Sequence, residues 1–147
     1  MSQTITQRVR GGVVLLLAAV IASTVTQSAS AHTDPHAPEP RGKATITVHD
    51  GGSASGPVRD SATLNCFPTS GTHPRPHHSC RLLDQAQGNF AKLTPDNRPC
   101  VLIYDPVTVV AQGTWDGEPT AFTRTYGNQC AANGASGGVF NLHPWQG

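Results

Sequence analysis

Four cysteines restrict the possible folds of this 147-residue chain more than any other feature of its sequence. They are Cys66, Cys80, Cys100 and Cys130. An even number of cysteines in an exported chain predicts disulfides, here two, which would cross-link most of the segment from residue 66 to residue 130. The cysteines can pair in more than one way, and their spacing does not decide among the possibilities.

The first 31 residues have the features of an export signal. Arg8 and Arg10 give a positively charged start, residues 13–22 are uniformly small or apolar, and residues 29–31 (Ala-Ser-Ala) suit signal peptidase. The apolar run is too short to span a bilayer, which takes about 20 residues. An internal helix is the alternative interpretation. We expect cleavage after Ala31, release of a secreted, extracellular protein, and no membrane contact after cleavage.

The remaining residues, 32–147, are enough for one domain with one core. Without Arg8 and Arg10 they carry eight basic and nine acidic residues, a formal charge of about −1. Because no basic run is present, nucleic acid is not an expected partner. Proline-rich residues 32–43 contain too little apolar surface to fold. We therefore predict a signal peptide (1–31), a flexible leader (32–43), one domain (44–142) and a C-terminal tail (143–147).

Alternating apolar and polar residues predict several strands. The first runs from Ala44 to a turn at residues 50–52, and a second covers Val58 to Cys66. Two more strands, Val107 to Trp115 and a segment through Phe122 and Tyr126, flank Asp116-Gly117, which is a strong hairpin signal. A last strand is predicted over Val139 to Leu142. Pro68 to Pro76 is rich in glycine, serine and threonine, and it is predicted to be a loop outside the sheet.

Helical periodicity is found at two places. Ser79 to Gly88 is predicted to be a helix, with Ser79 as its cap and Gly88 as its stop. A second, short helix is expected around Cys130. About five strands and two short helices predict an α+β fold, in which an antiparallel sheet carries both helices on one face and two disulfides close the structure.

Residues 134–138 match the G-x-S-x-G pattern of a hydrolase nucleophile elbow. That elbow needs a strand before the serine and a helix after it. Here the predicted order is reversed, and the chain is too short for the hydrolase fold. We therefore favour a glycine-serine turn around Ser136 over a small secreted hydrolase.

A histidine-rich loop suggests a zinc site as an alternative. It contains His73, His77, His78 and Cys80. In an oxidising compartment Cys80 is expected to form a disulfide, and no second group of ligands follows at a familiar spacing. We favour a solvated loop, and we expect no metal and no cofactor.

The apolar run from Val101 to Tyr104 has two interpretations. Periodicity alone favours a buried strand, as for most short apolar runs between turn signals. However, Cys100 and the prolines Pro99 and Pro106 bracket the run tightly, which fixes the backbone rather than extending a sheet. The polar, turn-rich segment before it also favours an exposed loop.

These motifs together resemble those of the Streptomyces subtilisin inhibitor family. The resemblance covers roughly residues 44–140 and depends on Gly71-Thr72-His73-Pro74, Cys80, Cys100-x-x-x-Tyr104-Asp105-Pro106-Val107, Asn128-x-Cys130 and Val139-Phe140. It implies a five-stranded antiparallel sheet with two helices, usually in a homodimer. It also implies the disulfides Cys66–Cys80 and Cys100–Cys130.

The resemblance further implies an inhibitor of subtilisin-like and chymotrypsin-like serine proteases. Leu102 would be P1, the residue that enters the specificity pocket, and Ile103 would lie on the leaving-group side of the reactive bond. Asn128 would support the reactive loop from beneath. The loop itself would consist of Pro99, Cys100, Val101, Leu102, Ile103, Tyr104 and Asp105. Residues 71–74 would add secondary contacts with the enzyme.

The sequence departs from this family pattern at three places. Val101 stands where proline is frequent, His77 and His78 replace small or polar residues, and the chain continues past Phe140.

A secreted binding module, for example for a cell-wall ligand, is the leading alternative function. Such a module would need exposed aromatic surfaces, and Trp115 and Trp145 are the only tryptophans.

Apolar alternation from Val107 to Trp115 also predicts an exposed sheet face and hence a homodimer.

Overall fold

The computed structural model describes residues 38–143. The predicted signal peptide, leader residues 32–37 and tail residues 144–147 lie outside the described residues, so the predictions for them are not tested. His143, the first tail residue, is described, and its Nε2 lies 2.9 Å from the carboxylate of Asp60.

The described residues form an antiparallel sheet of five strands in the order β3-β2-β1-β4-β5. Alternating apolar residues set the register, since Ile46 of β1 lies opposite Ala62 of β2 and Ala111 of β4. Asp116 and Gly117 both have positive φ, 51° and 83°, as a two-residue hairpin turn between β4 and β5 requires. The strands are β1 (Gly42–Asp50), β2 (Val58–Cys66), β3 (Ser70–Gly71), β4 (Val107–Trp115) and β5 (Glu118–Tyr126).

One loop prediction and one strand prediction are wrong, and the first strand starts earlier than expected. β1 begins at Gly42, two residues before the predicted start. Ser70–Gly71 lies in the predicted loop, yet it pairs with Asn65 and Leu64 of β2 through its backbone. Val139 to Leu142 is not a strand, because Gly137 and Gly138 both have positive φ and turn the chain back after the second helix. Burial of Val139 and Phe140 therefore comes from a turn, which an apolar pair in sequence does not reveal.

Both predicted helices are present. Helix α1 (Pro76–Gln85) begins and ends three residues earlier than predicted, with Pro76 in its first turn, where a missing N–H costs nothing. Ser79 is not its cap but a buried residue inside it, whose N–H donates to the carbonyl of Arg75. The N–H of Gly88 donates to the carbonyl of Leu83 and closes the C-terminus. Helix α2 (Gln129–Ala135) contains Cys130, and a 3-10 turn covers Phe90–Lys92.

The core lies between one face of the sheet and the two helices. Four aromatic rings meet at its centre: Phe140 lies 6.3, 5.5 and 6.2 Å from the ring centroids of Phe90, Phe122 and Tyr126. The two disulfides have the pairing that the resemblance implied: Cys66–Cys80 joins β2 to α1, and Cys100–Cys130 joins α2 to a stretch without helix or strand. The α+β prediction, with helices on one face and two disulfides, is confirmed.

The opposite face of the sheet is polar. Thr45 and Thr47 of β1 lie opposite Thr63 and Ser61 of β2 on this face. Val107, Val109, Ala111 and Trp115 of β4, by contrast, belong to the buried core, whereas Val110 is half-buried and pairs with Thr47 on the opposite face. The alternating apolar residues of β4 are therefore buried rather than exposed, and the homodimer stays a prediction.

We expect Phe140→Ala to lower the free energy of unfolding by about 3–5 kcal/mol, because the ring is buried and its removal leaves a cavity among three other rings. Urea denaturation measures this loss. Val58→Ala is a control for truncation of an apolar side chain at the surface: Val58 is more than half exposed, so its loss should cost under about 1 kcal/mol. Equal losses in the two variants would contradict the central position of the ring cluster.

Candidate functional site

An apolar segment projects from the fold at residues 101–104. These four side chains, from Val101 to Tyr104, are all exposed, and Leu102 is 101 % exposed. The segment lies in a stretch without helix or strand that runs up to Pro106, which excludes the buried-strand interpretation and confirms the exposed loop. We call residues 99–106 the projecting loop. Such a run of exposed large apolar side chains is typical of a binding surface.

The side chain of Asn128 holds the centre of the projecting loop. Its Nδ2 donates to the carbonyl oxygens of Val101 at 3.1 Å and Ile103 at 2.8 Å, the residues on either side of Leu102. Its Oδ1 accepts from the N–H of Ala131 at 2.8 Å and so caps helix α2. Because both ends of the amide are used, the loop backbone is tied directly to the helix start.

A disulfide ties the loop to the same helix. Cys100 and Cys130 have their Cα atoms 5.7 Å apart, and Cys130 is the second residue of α2. The structure therefore brings together three predicted elements, namely the loop, Asn128 and the second disulfide. Leu102 lies two residues beyond the half-cystine, with its side chain in solvent.

The segment that leads into the projecting loop, its N-terminal leg, is attached to the other end of α2. The N–H of Asp96 donates to the carbonyl of Gly134 at 2.9 Å. The guanidinium of Arg98 hydrogen-bonds both carboxylate oxygens of Asp96, at 2.7 to 3.0 Å, and these bonds lower the pKa of Asp96. Sequence reasoning missed this pair, although two opposite charges two residues apart were a visible signal.

The C-terminal leg has a corresponding attachment. The N–H of Asp105 donates to the carbonyl of Gly127 at 2.9 Å, just before α2. Nη2 of Arg59, in strand β2, lies 3.2 Å from the carboxylate of Asp105, and Nε of Arg59 donates to Asp50. The sequence offered no signal for Arg59, because 46 residues separate it from Asp105.

The Gly71-Thr72-His73-Pro74 motif divides between surface and core. Gly71 and Thr72 are exposed and Pro74 is half-buried, so their surfaces are accessible. His73 is only 3 % exposed, which corrects the prediction of this side chain as a surface contact. Its Nε2 bonds the carbonyl of Val139 at 2.9 Å, and its Nδ1 accepts from the N–H of Arg75 at 3.1 Å. Burial lowers the pKa of His73, so the imidazole is a neutral structural support.

The serine of the G-x-S-x-G motif is placed for structure rather than for chemistry. Ser136 is fully buried after the end of α2. Its Oγ donates to the carbonyl of Asn133 at 3.1 Å and accepts from the N–H of Phe140 at 3.0 Å. Since a nucleophile must be reachable by substrate, this geometry argues against a hydrolase.

Contacts within the fold argue against a zinc site at the histidine-rich loop. They also argue against a sugar-binding surface at Trp115. Cys80 is in a disulfide, and Nε2 of His78 bonds the carbonyl of Gly137 at 2.9 Å. Within residues 38–143, no group of three or more potential ligands is arranged for a metal. Trp115 is 8 % exposed and packs beneath Arg41, so it provides no stacking surface for a cell-wall sugar, and Trp145 lies outside the described residues.

Comparison with known proteins agrees with this geometry. A family model described as subtilisin inhibitor-like matches residues 41–128. The chain belongs to the subtilisin inhibitor-like family. It is 41% identical over 101 residues to subtilisin inhibitor-like protein 5 of Streptomyces fradiae, across 66% of this chain and 94% of that protein. It is 40% identical over 100 residues to protease inhibitor SIL-V2 of Streptomyces orinoci, across 66% of this chain and 92% of the relative.

A solved structure extends the similarity to three dimensions. The chain resembles sermetstatin of Streptomyces caespitosus, crystallised in complex with Bacillus licheniformis subtilisin, with a TM-score of 0.56 and 29% identity. The match covers 72% of this chain and 98% of sermetstatin. The subtilisin inhibitor-like family and these relatives are protease inhibitors, not enzymes. In the described part of the chain, no helix combines the length and apolarity needed to cross a membrane.

Burial of His73 predicts a loss of stability in mild acid. The unfolded chain takes up a proton on this histidine below about pH 6.5, whereas the folded chain, with its lowered pKa, does not. The free energy of unfolding should therefore be highest above pH 6.5 and fall as the pH is lowered from 7.5 to 5.

Urea denaturation at both pH values measures this difference. His73→Gln should flatten the dependence, while His77→Gln, at an exposed position, should retain it. A full pH dependence in His73→Gln would show that another group is responsible.

Proposed function

We propose that this protein inhibits subtilisin-like and chymotrypsin-like serine proteases by presenting Leu102–Ile103 as a substrate-like reactive bond. One observation carries the proposal: Leu102 is fully exposed, while the carbonyls on both sides of it are held by the single amide of Asn128. Titration of subtilisin activity with the purified protein tests it directly. An absence of inhibition at stoichiometric concentrations would contradict it and favour a secreted binding module instead.

Restriction of the projecting loop supports tight binding. A flexible peptide loses conformational entropy when a protease binds it in an extended form. In this chain the disulfide at Cys100 and the two bonds from Asn128 remove much of that freedom beforehand. We expect the loop to add to the enzyme as an extended strand, with backbone hydrogen bonds supplying affinity and side chains supplying selectivity.

Retention of the leaving group would turn a substrate into an inhibitor. The catalytic serine of the enzyme would attack the carbonyl carbon of Leu102, the bond to the nitrogen of Ile103 would break, and the enzyme's histidine would give that nitrogen a proton. In a flexible substrate the amine then diffuses away. Here the core holds both legs of the loop, so the amine of Ile103 would remain near the ester, re-form the peptide bond and release the serine.

Two further features belong to the proposal. The N-terminal signal supports export, which would bring the inhibitor to extracellular proteases. The sheet face opposite the helices would support a homodimer mainly through polar contacts, because it carries Thr45, Thr47, Ser61 and Thr63 beside the half-buried Val110. Light scattering at micromolar concentration tests the dimer, and a mass of one chain would exclude it.

Leu102 is expected to determine which proteases are inhibited. Burial of a leucine side chain in a specificity pocket contributes about 1.5–3 kcal/mol, and interface energy concentrates in such buried anchors. Leu102→Lys should gain trypsin inhibition and lose most chymotrypsin inhibition, since an apolar pocket would have to desolvate the ammonium. Subtilisin inhibition should weaken least. Inhibition constants for the three enzymes measure the change.

Val107→Ala is the control, because Val107 is buried in β4 outside the projecting loop and should leave selectivity unchanged. Unchanged selectivity in Leu102→Lys, or cleavage mapped to a bond other than Leu102–Ile103, would contradict this assignment of the reactive bond.

Two substitutions at Asn128 separate its support of the loop from its capping of α2. Asn128→Ser keeps a capping oxygen but loses the donor to Val101 and Ile103, whereas Asn128→Ala loses both functions. Because two hydrogen bonds worth about 0.5–1.5 kcal/mol each are removed, both variants should be cleaved at Leu102–Ile103 about tenfold faster or more. Only Asn128→Ala should also lose about 0.5–2 kcal/mol of stability through the cap.

Mass spectrometry of inhibitor incubated with subtilisin gives the cleavage rates, and urea denaturation gives the stabilities. Should Asn128→Ser resist cleavage for as long as the parent protein, the supporting role of the amide is wrong.

A further inference from the structure

We propose that Arg59 is a positioning residue for the leaving-group side of the reactive bond, which it holds in place through Asp105. This inference rests on the proposed function and adds to it a residue that lies outside the projecting loop and outside every sequence motif. Arg59 is in strand β2, and its half-buried guanidinium connects two carboxylates. One belongs to Asp50, at the end of β1, and the other to Asp105, 3.2 Å away in the loop.

The two sides of the reactive bond are attached to the fold by different means. On the side of Leu102, the disulfide of Cys100 is a covalent link two residues from the bond. On the side of Ile103, the first half-cystine is Cys130, so residues 103–129 carry no covalent cross-link. The attachments there are the bond from Asn128 to Ile103, the bond from the Asp105 N–H to Gly127, and the ion pair with Arg59.

Hydrolysis of the reactive bond makes this difference important. Addition of one water would give a carboxylate at Leu102 and an ammonium at Ile103, and resynthesis would remove that water. Resynthesis requires the new terminus to stay close to the Leu102 carbonyl, and Asp105 is the second residue after Ile103. An ion pair at Asp105 therefore limits how far the cleaved end can move, and it favours the intact bond.

Arg59 acts on Asp105 from a fixed position. Its bond to Asp50 orients the guanidinium, and the carbonyl of Pro106 accepts from the N–H of Gly51 at 2.8 Å in the adjacent turn. The end of β1 and the C-terminal leg of the loop are thus joined at a backbone contact and at a side-chain contact.

The chain contains a matched control for this arrangement. Arg41 also bridges two carboxylates, Asp116 at 2.6 Å and Asp84 at 2.7 Å. It lies just before β1, at the end of the sheet opposite Asp50, so it has no contact with the projecting loop. Loss of either arginine removes two ion pairs, but only Arg59 contacts the projecting loop, through Asp105.

The experiment measures the ratio of cleaved to intact inhibitor at equilibrium. Full-length secreted protein, either intact or cleaved at Leu102–Ile103, is incubated with a catalytic amount of subtilisin until both starting materials give the same ratio. Parent protein is compared with Arg59→Met, Arg59→Lys, Asp105→Asn, the double variant Arg59→Met with Asp105→Asn, and Arg41→Met. Each ratio is measured at low ionic strength and again in about 1 M salt.

We expect Arg59→Met to raise the proportion of cleaved inhibitor about two- to fivefold, the range that an exposed ion pair supports. Arg59→Lys should restore part of the parent ratio, and the double variant should match the single variants rather than add to them. Salt should bring the parent protein toward Arg59→Met. Arg41→Met should keep the parent ratio.

Three results would overturn the inference. An unchanged ratio of cleaved to intact inhibitor in Arg59→Met would show that the ion pair does not hold the cleaved end. An equal rise of this ratio in Arg41→Met would show that the effect comes from a general loss of stability, not from the contact with Asp105. If the parent protein neither inhibits subtilisin nor re-forms its bond, the proposed function fails and this inference fails with it. Inhibition by the parent protein with an unchanged ratio in Arg59→Met rejects the role of Arg59 alone.

Discussion

The projecting loop depends on one short helix. Helix α2 has seven residues, yet together with the two residues before it, it provides four attachments for the loop and for the segment that leads into it. Gly127 and Gly134 offer carbonyls to the two legs, Asn128 offers its amide to the centre, and Cys130 offers the disulfide. Because the buried turn at Val139 and Phe140 follows α2 directly, the aromatic core indirectly fixes the position of an exposed peptide bond.

Two side chains of this fold depart from the usual rule that apolar groups are buried and titratable groups are exposed. Large apolar side chains are usually withdrawn from water, as at Phe140, and polar groups usually face it. At Leu102 the arrangement is reversed, and the backbone there is stabilised by polar contacts beneath it. At His73 a titratable side chain is buried instead of exposed. Burial lowers its pKa, so the ring is neutral, and it bonds the carbonyl of Val139 in the turn after α2.

Sequence patterns predicted the elements whose signals are local. Alternation gave the bounds of β2 and β4 correctly, and Asp116-Gly117 gave the hairpin. The short strand β3 was missed because two paired residues leave no periodic pattern, and the last strand was wrongly assigned because apolar residues in a buried turn resemble a strand end. The shift of α1 arose because Ser79 suits a cap, whereas Pro76 in fact begins the helix.

Only those residues of the candidate site that belong to a family motif could be predicted from the sequence. The family resemblance supplied Asn128, both disulfides and the loop, and the structure brings Asn128, the loop and the disulfide Cys100–Cys130 together. It also led to the error at His73, since a motif identifies a residue without saying whether its side chain faces inward. The contact of Arg59 with Asp105 depends on the register of β2 and on the turn after β1, which no segment of sequence specifies separately.

The register of β1 has a practical consequence for handling the protein. The chain enters the sheet at Gly42, opposite Trp115, and leaves β1 at Asp50, opposite Val107 and next to the projecting loop. Arg41 anchors the point of entry by its side chain and by backbone bonds to Phe67 and Asp116. An affinity tag or a solid support joined ahead of this anchor is attached at the far end of the sheet, which makes immobilised display of the loop to soluble proteases feasible.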